Sequence, residues 1–218
     1  MTFQEVWNPV LIGFFLWFAG IAGMGSVSYA LMRLFKVEER LKELSLIIFA
    51  SVVLGLLFVV ADLSRPLNMP SAILLSLSQG IFLAKLLQSW MALGISLLFL
   101  LLVLSLILAL RHAALPALAK IADAKWFSAL LALVGFLVTV YSGFLISSAP
   151  GVPFWNTALI PVLWVVSATI CAVAVLKILV KSEAVSHLLT RAGISLEVVE
   201  AVALAALIAI PMYSGPEA

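Results

Sequence analysis

The chain has 218 residues, of which 65% are hydrophobic and only 10% are charged, whereas an ordinary soluble domain has roughly a quarter of its residues charged. With a mean hydropathy of +1.28, that composition excludes a soluble globular enzyme. The formal net charge of +2 is too small to mark a nucleic-acid partner, and the single cysteine, Cys171, lies inside an apolar run and says nothing about redox compartment.

Apolar runs of about 18 residues or more recur along the chain, long enough to cross roughly 30 Å of hydrocarbon. They predict an all-α, polytopic transmembrane bundle with about six spans, near residues 9–32, 44–61, 82–110, 126–147, 157–180 and 196–213, in one domain covering 1–218. The opening MTFQEVWNPV has no basic stretch before its apolar run and no small-residue cleavage site, so the first span is expected to be retained. Its run Gly20-Ile-Ala22-Gly23-Met-Gly25 lacks the order of a nucleotide-binding loop. Small residues at these spacings let helix backbones approach closely. Between the second and third spans, Ser71 to Leu87 is apolar but broken by Ser76, Ser78, Gln79 and Gly80, and is expected as a short, partly buried or re-entrant segment.

The basic residues set an orientation. Arg33, Lys36, Arg40, Lys42, Arg111, Lys120, Lys125, Lys177, Lys181 and Arg191 flank the loops after the first, third and fifth spans, which is ten of the twelve; the other side has Arg65 and Lys85. Lys and Arg excess marks cytoplasmic loops. Both termini are therefore expected outside the cell, on a chain embedded in the plasma membrane.

Charged groups in or near hydrocarbon are expensive, and each is a functional hypothesis by default. Asp62 and Arg65, three apart before Pro66 at the outer end of the second span, read either as an interfacial ion pair or as a proton acceptor beside a hydrogen-bond donor. Asp62 is the only carboxylate on the outer side attached to a span. The turn from Tyr141 to Thr157 on the same face is dense in Tyr, Trp, Ser and Asn. It reads as an aromatic belt with Asn156 capping the next helix, or as one wall of a pocket for a flat, apolar molecule. Glu197 and Glu200, three apart, read as carboxylates of a first helical turn capped by Ser195, or as the inner mouth of a proton path. The two histidines, His112 and His187, fall in loops, so no helix-borne pair is expected to ligate a haem, and no metal or nucleotide motif is present.

Tyr-Ser-Gly-Phe-Leu-Ile-Ser at 141–147 followed by Pro-Phe-Trp-Asn-Thr-Ala-Leu-Ile-Pro-Val-Leu at 153–163 resembles the signature of the NrfD family. These are quinone-interacting membrane subunits also found in polysulfide reductases and related molybdenum enzyme complexes. Asp62-Leu-Ser-Arg65-Pro66 is similar to the family's Asp-Leu-x-Arg-Pro turn, Ser89-Trp90 to its Ser-Trp element, and Gly20 to Gly25 to its glycine-rich first helix. The stretch Ile12 to Phe15 departs from members that carry Asn and His there, and many members have eight or more spans. The resemblance implies a subunit that binds menaquinone or ubiquinone near the outer face, without haem or metal of its own. Its electrons would pass to or from a ferredoxin-like iron-sulfur subunit that serves a catalytic, molybdenum-type subunit. By the same resemblance Asp62 exchanges the quinone proton, Arg65 orients it and Tyr141 hydrogen-bonds a quinone oxygen, with Ser147, Trp155 and Asn156 at signature positions. The competing readings are a structural anchor for an electron-transfer partner and a proton-translocating subunit using Asp62 and Glu200.

Overall fold

A computed structural model describes residues 8–62, 71, 74–75, 78–80, 90–111, 116–148 and 155–213. The helices are α1 (Pro9–Leu34), α2 (Leu41–Asp62), α3 (Trp90–Leu110), α4 (Pro116–Asp123), α5 (Lys125–Ser147), α6 (Leu159–Leu179) and α7 (Glu183–Tyr213), and there is no strand among the described residues. All but α4 contain a stretch long and apolar enough to cross a membrane. This is the expected polytopic helical bundle.

Two local features differ from the sequence expectation. The eight-residue α4, with Pro116 at its first position where a missing N–H costs nothing, was not foreseen. The last helix begins at Glu183 rather than near 196, because a helix continues through polar residues once it leaves hydrocarbon. As a result His187 lies in helix α7 and not in a loop, and Glu197 and Glu200 are far from its first turn. Most of the segment 71–87 lies outside the described residues, and its described members Leu74 and Leu75 are exposed.

Helix α1 is the centre of the molecule, packing on α2, α5 and α6, while α3 packs on α2 and α5. Those contacts make α1, α2, α3 and α5 a four-helix square with α2 and α5 at opposite corners. Helix α6 lies in the α1–α5 groove and α7 packs on α6. Lipid tails are as apolar as leucine, so close fit rather than hydrophobic burial holds such helices together. Gly23 and Gly135 provide that fit: a β-carbon on Gly23 would fall 2.6 Å from the Gly135 carbonyl oxygen, and one on Gly135 would fall 2.5 Å from the Gly23 oxygen. The buried hydroxyls of Ser26, Thr139 and Ser142 donate to the carbonyl oxygens of Ala22, Gly135 and Val138 one turn back in their own helices.

Polar contacts tie the helix ends. Val37 N–H donates to the Met32 oxygen at 2.8 Å and Lys36 N–H to the Arg33 oxygen at 3.2 Å, a Schellman closure of α1 with Lys36 left-handed at φ 58°. The Asp123 carboxylate accepts from Arg33 at 3.2 Å and from Arg111 at 2.6 Å, and Arg33 also donates to the carbonyl oxygens of Ala122 and Asp123 that end α4. Glu39 accepts the backbone N–H groups of Lys181 and Ser182 ahead of α7. These contacts gather the helix ends at 34–41, 110–125 and 179–183 on one side of the bundle, and with them the ten basic residues that the sequence groups together. Asn8, Asp62, Trp90, Ser147 and Trp155 lie at the opposite end.

Candidate functional site

Asp62 is the last residue of α2, half-buried, and its carboxylate accepts the backbone N–H of Asn8 at 3.0 Å. Asn8 is the N-cap of α1: its own side-chain oxygen accepts the N–H groups of Val10 and Leu11 at 3.0 and 3.3 Å. Asp62 thus supplies a negative charge at the positive end of the α1 dipole and locks the two helix ends together. Arg65 and Pro66 lie outside the described residues; Asn8, which Asp62 holds, is 54 positions away in sequence.

One turn below Asp62 on α2 is Phe58, and it carries an aromatic stack. Its ring lies parallel to Phe14 at 5.1 Å and to Phe18 at 5.8 Å, and Trp17 tilts against Phe18 at 5.0 Å. Sequence reasoning missed these residues, although Phe58 standing four before Asp62 was a usable signal that the two share a face.

Tyr141, two turns from the end of α5, is 6% exposed. Its ring lies on Gly94 of α3: a β-carbon there would fall 1.9 Å from the ring Cζ and 2.0 Å from the hydroxyl oxygen. Glycine is therefore the residue that admits the tyrosine. Among the described residues the hydroxyl has no hydrogen-bond partner. Nearby on α6, the Trp164 indole N–H is also buried without a partner, its β-carbon against the Gly143 approach of α5 to α6. A buried indole N–H ordinarily finds an acceptor, so the same end of the bundle holds two donors that no described protein group uses.

The other signature positions are peripheral. Ser147 donates its hydroxyl back to the Phe144 oxygen at 3.0 Å. Trp155 is 37% exposed and Asn156 is exposed. Asn156 is not the cap of the following helix. Helix α6 starts at Leu159 with Ala158 in the cap position, and the Thr157 hydroxyl just before it accepts the Leu159 N–H at 3.2 Å. Trp90 opens α3 as expected of the Ser-Trp element, while Ser89 lies outside the described residues. Asp62 and Tyr141 share one end of the bundle at opposite corners of the four-helix square.

The two glutamates part company. Glu200 accepts the hydroxyl of Ser167 on α6, and Glu200 and Trp17 border the Cys171 thiol. Ser167 is eight residues from the Leu159 end of α6 and twelve from the Leu179 end, about 12 and 18 Å at 1.5 Å per residue. Glu200 therefore lies near mid-membrane rather than at a mouth, where a charged side chain costs about 2.5–3.5 kcal/mol on insertion scales. Glu197 is exposed and has no partner among the described residues. Ser195 caps nothing, since its hydroxyl donates to the Arg191 oxygen inside α7.

Among individually curated proteins none matches the sequence. The profile of the polysulphide reductase NrfD family, however, matches residues 1–217. That match spans all seven helices, including the 141–163 signature and the α2 end that carries Asp62, and on it the chain belongs to the NrfD family of polysulphide reductase membrane subunits.

Proposed function

We propose that this chain is the quinone-reactive membrane subunit of a respiratory oxidoreductase complex, with its quinone site at the Asp62 and Tyr141 end of the bundle. One observation carries the reading. Among the described residues Asp62 is the only carboxylate at that end, and it stands directly above stacked aromatic rings and across from a buried tyrosine whose hydroxyl has no described protein partner. These residues fit a flat, apolar ring with two oxygens. A quinol supplies two electrons and two protons. In this reading the Asp62 carboxylate takes one of those protons and the outer water the other, the Tyr141 hydroxyl and Trp164 N–H are donors for ring oxygens, and the Phe58–Phe14 stack lies beside the ring. Arg65, three residues after Asp62 in sequence, is assigned the part of orienting the ring. In the same reading the electrons pass to or from a ferredoxin-like iron-sulfur subunit docked on that end, which serves a catalytic subunit of molybdenum type.

The orientation follows from the ten basic residues gathered at the other end, which excess Lys and Arg would place in the cytoplasm of a cell whose plasma membrane the chain spans. Asp62 then faces outward, and both termini lie outside. The test is quinol oxidation by the purified complex. Asp62→Asn and Tyr141→Phe are expected to leave the complex assembled and abolish turnover with menaquinol or ubiquinol. Normal turnover in both variants would replace this reading by that of a structural anchor.

A second reading has its own observation, the bond from Ser167 to Glu200 at mid-membrane depth. It gives Glu200 a place to hold a proton inside the membrane, as a proton-translocating subunit requires, with Glu197 one turn away. Reconstituted complex carrying Glu200→Gln would then oxidise quinol without the accompanying proton uptake, and unchanged proton movement would remove this reading.

A further inference from the structure

Helix α7 is covered differently from every other span. In its most apolar stretch only 6% of residues are buried, against 33% to 56% in the other five spans. It packs on α6 through Leu196, Glu200, Ala203 and Leu207, which are buried or half-buried. Beside that seam runs a second one, Ile194, Glu197, Ala201, Leu204 and Ile208, all exposed. The steps between them are three, four, three and four residues, the spacing that lines one stripe of a helix for left-handed packing against another. Valine, leucine and isoleucine on such a stripe are at home in lipid and by themselves call for no partner.

Glu197 is different. It lies three residues from Glu200, about 4–5 Å along the axis, and so faces outward at membrane depth, about 13 Å from the level of the Leu179 end of α6. No described side chain pairs with it. Ionisable groups within spans almost always face protein or water, not acyl chains. We propose that the Ile194–Ile208 stripe of α7 is the docking surface for a transmembrane helix of a different subunit, one presenting a basic or amide side chain opposite Glu197. A second copy of this chain would not serve. Two α7 stripes meeting about a twofold axis would set carboxylate near carboxylate, and α7 carries no basic residue on that stripe to answer it. The inference does not rest on the quinone reading.

The test uses the complex in its native membranes, with a photo-crosslinking amino acid at Leu204 and, separately, Glu197→Leu and Glu197→Gln. The expected result is a crosslink mapping to a transmembrane segment of another polypeptide with Lys, Arg, Asn or Gln at the level of Glu197. Its recovery should fall about tenfold in Glu197→Leu, as loss of one intramembrane hydrogen bond would produce, and should be largely kept in Glu197→Gln. Crosslinks to lipid alone, to α7 of a second copy, or to a segment whose recovery ignores Glu197→Leu would overturn the proposal. The amount and melting temperature of this chain in each variant separate loss of docking from loss of folding, because leucine in lipid destabilises nothing within the chain.

Discussion

The carboxylate of Glu39, in the connection between α1 and α2, accepts the backbone N–H of Lys181, in the connection between α6 and α7, at 2.6 Å. With the Ser182 N–H at 3.3 Å on its other oxygen, Glu39 holds the two residues that lead into α7 from a loop 142 positions away.

Glu39→Ala is expected to cost about 1 kcal/mol, the usual net worth of such a hydrogen bond. The effect should be local. Amide exchange of Lys181, Ser182 and the first turn of α7 should speed up while the core of α1 keeps its protection. Uniform exchange across α7 in wild type and variant would show that the contact holds nothing.

Gly94→Ala puts a methyl group into the Tyr141 ring, since the β-carbon would fall within 2.0 Å of the hydroxyl oxygen. Overpacking of this kind costs roughly 1–3 kcal/mol. Because α3 is held between α2 and α5, the tyrosine is the part that moves. The expected outcome is a lower melting temperature in detergent together with loss of quinol turnover beyond what the remaining folded fraction explains.

Lys36→Gly should stabilise the protein. Lys36 holds a left-handed backbone at φ 58° to close α1, which glycine adopts without a β-carbon clash. After allowance for the more flexible unfolded chain, a gain of about 0.5–1 kcal/mol is expected. Lys36→Val should shift the melting temperature the other way.

Asp123→Ala leaves the guanidinium groups of Arg33 and Arg111 facing each other without the carboxylate between them. The side chains are 23% exposed for both arginines and 46% for Asp123, so solvent screening holds the cost to about 1 kcal/mol. The loss should shrink in high salt, where charge repulsion is screened. The hydrogen bond from Arg111 to the fully buried Tyr29 at 3.0 Å remains.

Much of this was legible in the sequence. Long apolar runs identify the spans because hydropathy is all a bilayer asks of them, and the small residues of α1 mark its closest contacts, with Gly23 meeting Gly135. What stayed hidden depends on distance or on water. The eight residues of α4 carry Lys120 and Asp123 and are too short and polar for a span. The start of α7 was missed because Glu183, His187 and Arg191 interrupt the apolar pattern but not the helix. At the candidate site, Asp62 and Tyr141 announced themselves as polar groups near span ends. The bond to Asn8, the glycine beneath Tyr141 and the level of Glu200 came only with the packing of residues remote in sequence.

The bond between Ser167 and Glu200 fixes more than a carboxylate. Helix α7 has 31 residues, about 46 Å of helix, in a bilayer whose hydrocarbon is about 30 Å thick. A long helix free to tilt or slide could absorb the surplus; one pinned at Glu200 to the middle of α6 cannot slide. Measured from Glu200, α7 runs about 26 Å to Glu183 and about 20 Å to Tyr213, so each end overruns α6 by about 7 Å, and on the Glu183 side the overrun is a short helical stalk of about five residues. Glu39 grips its foot, so a displacement at Glu200 within the bilayer would reach the water as a displacement of that stalk.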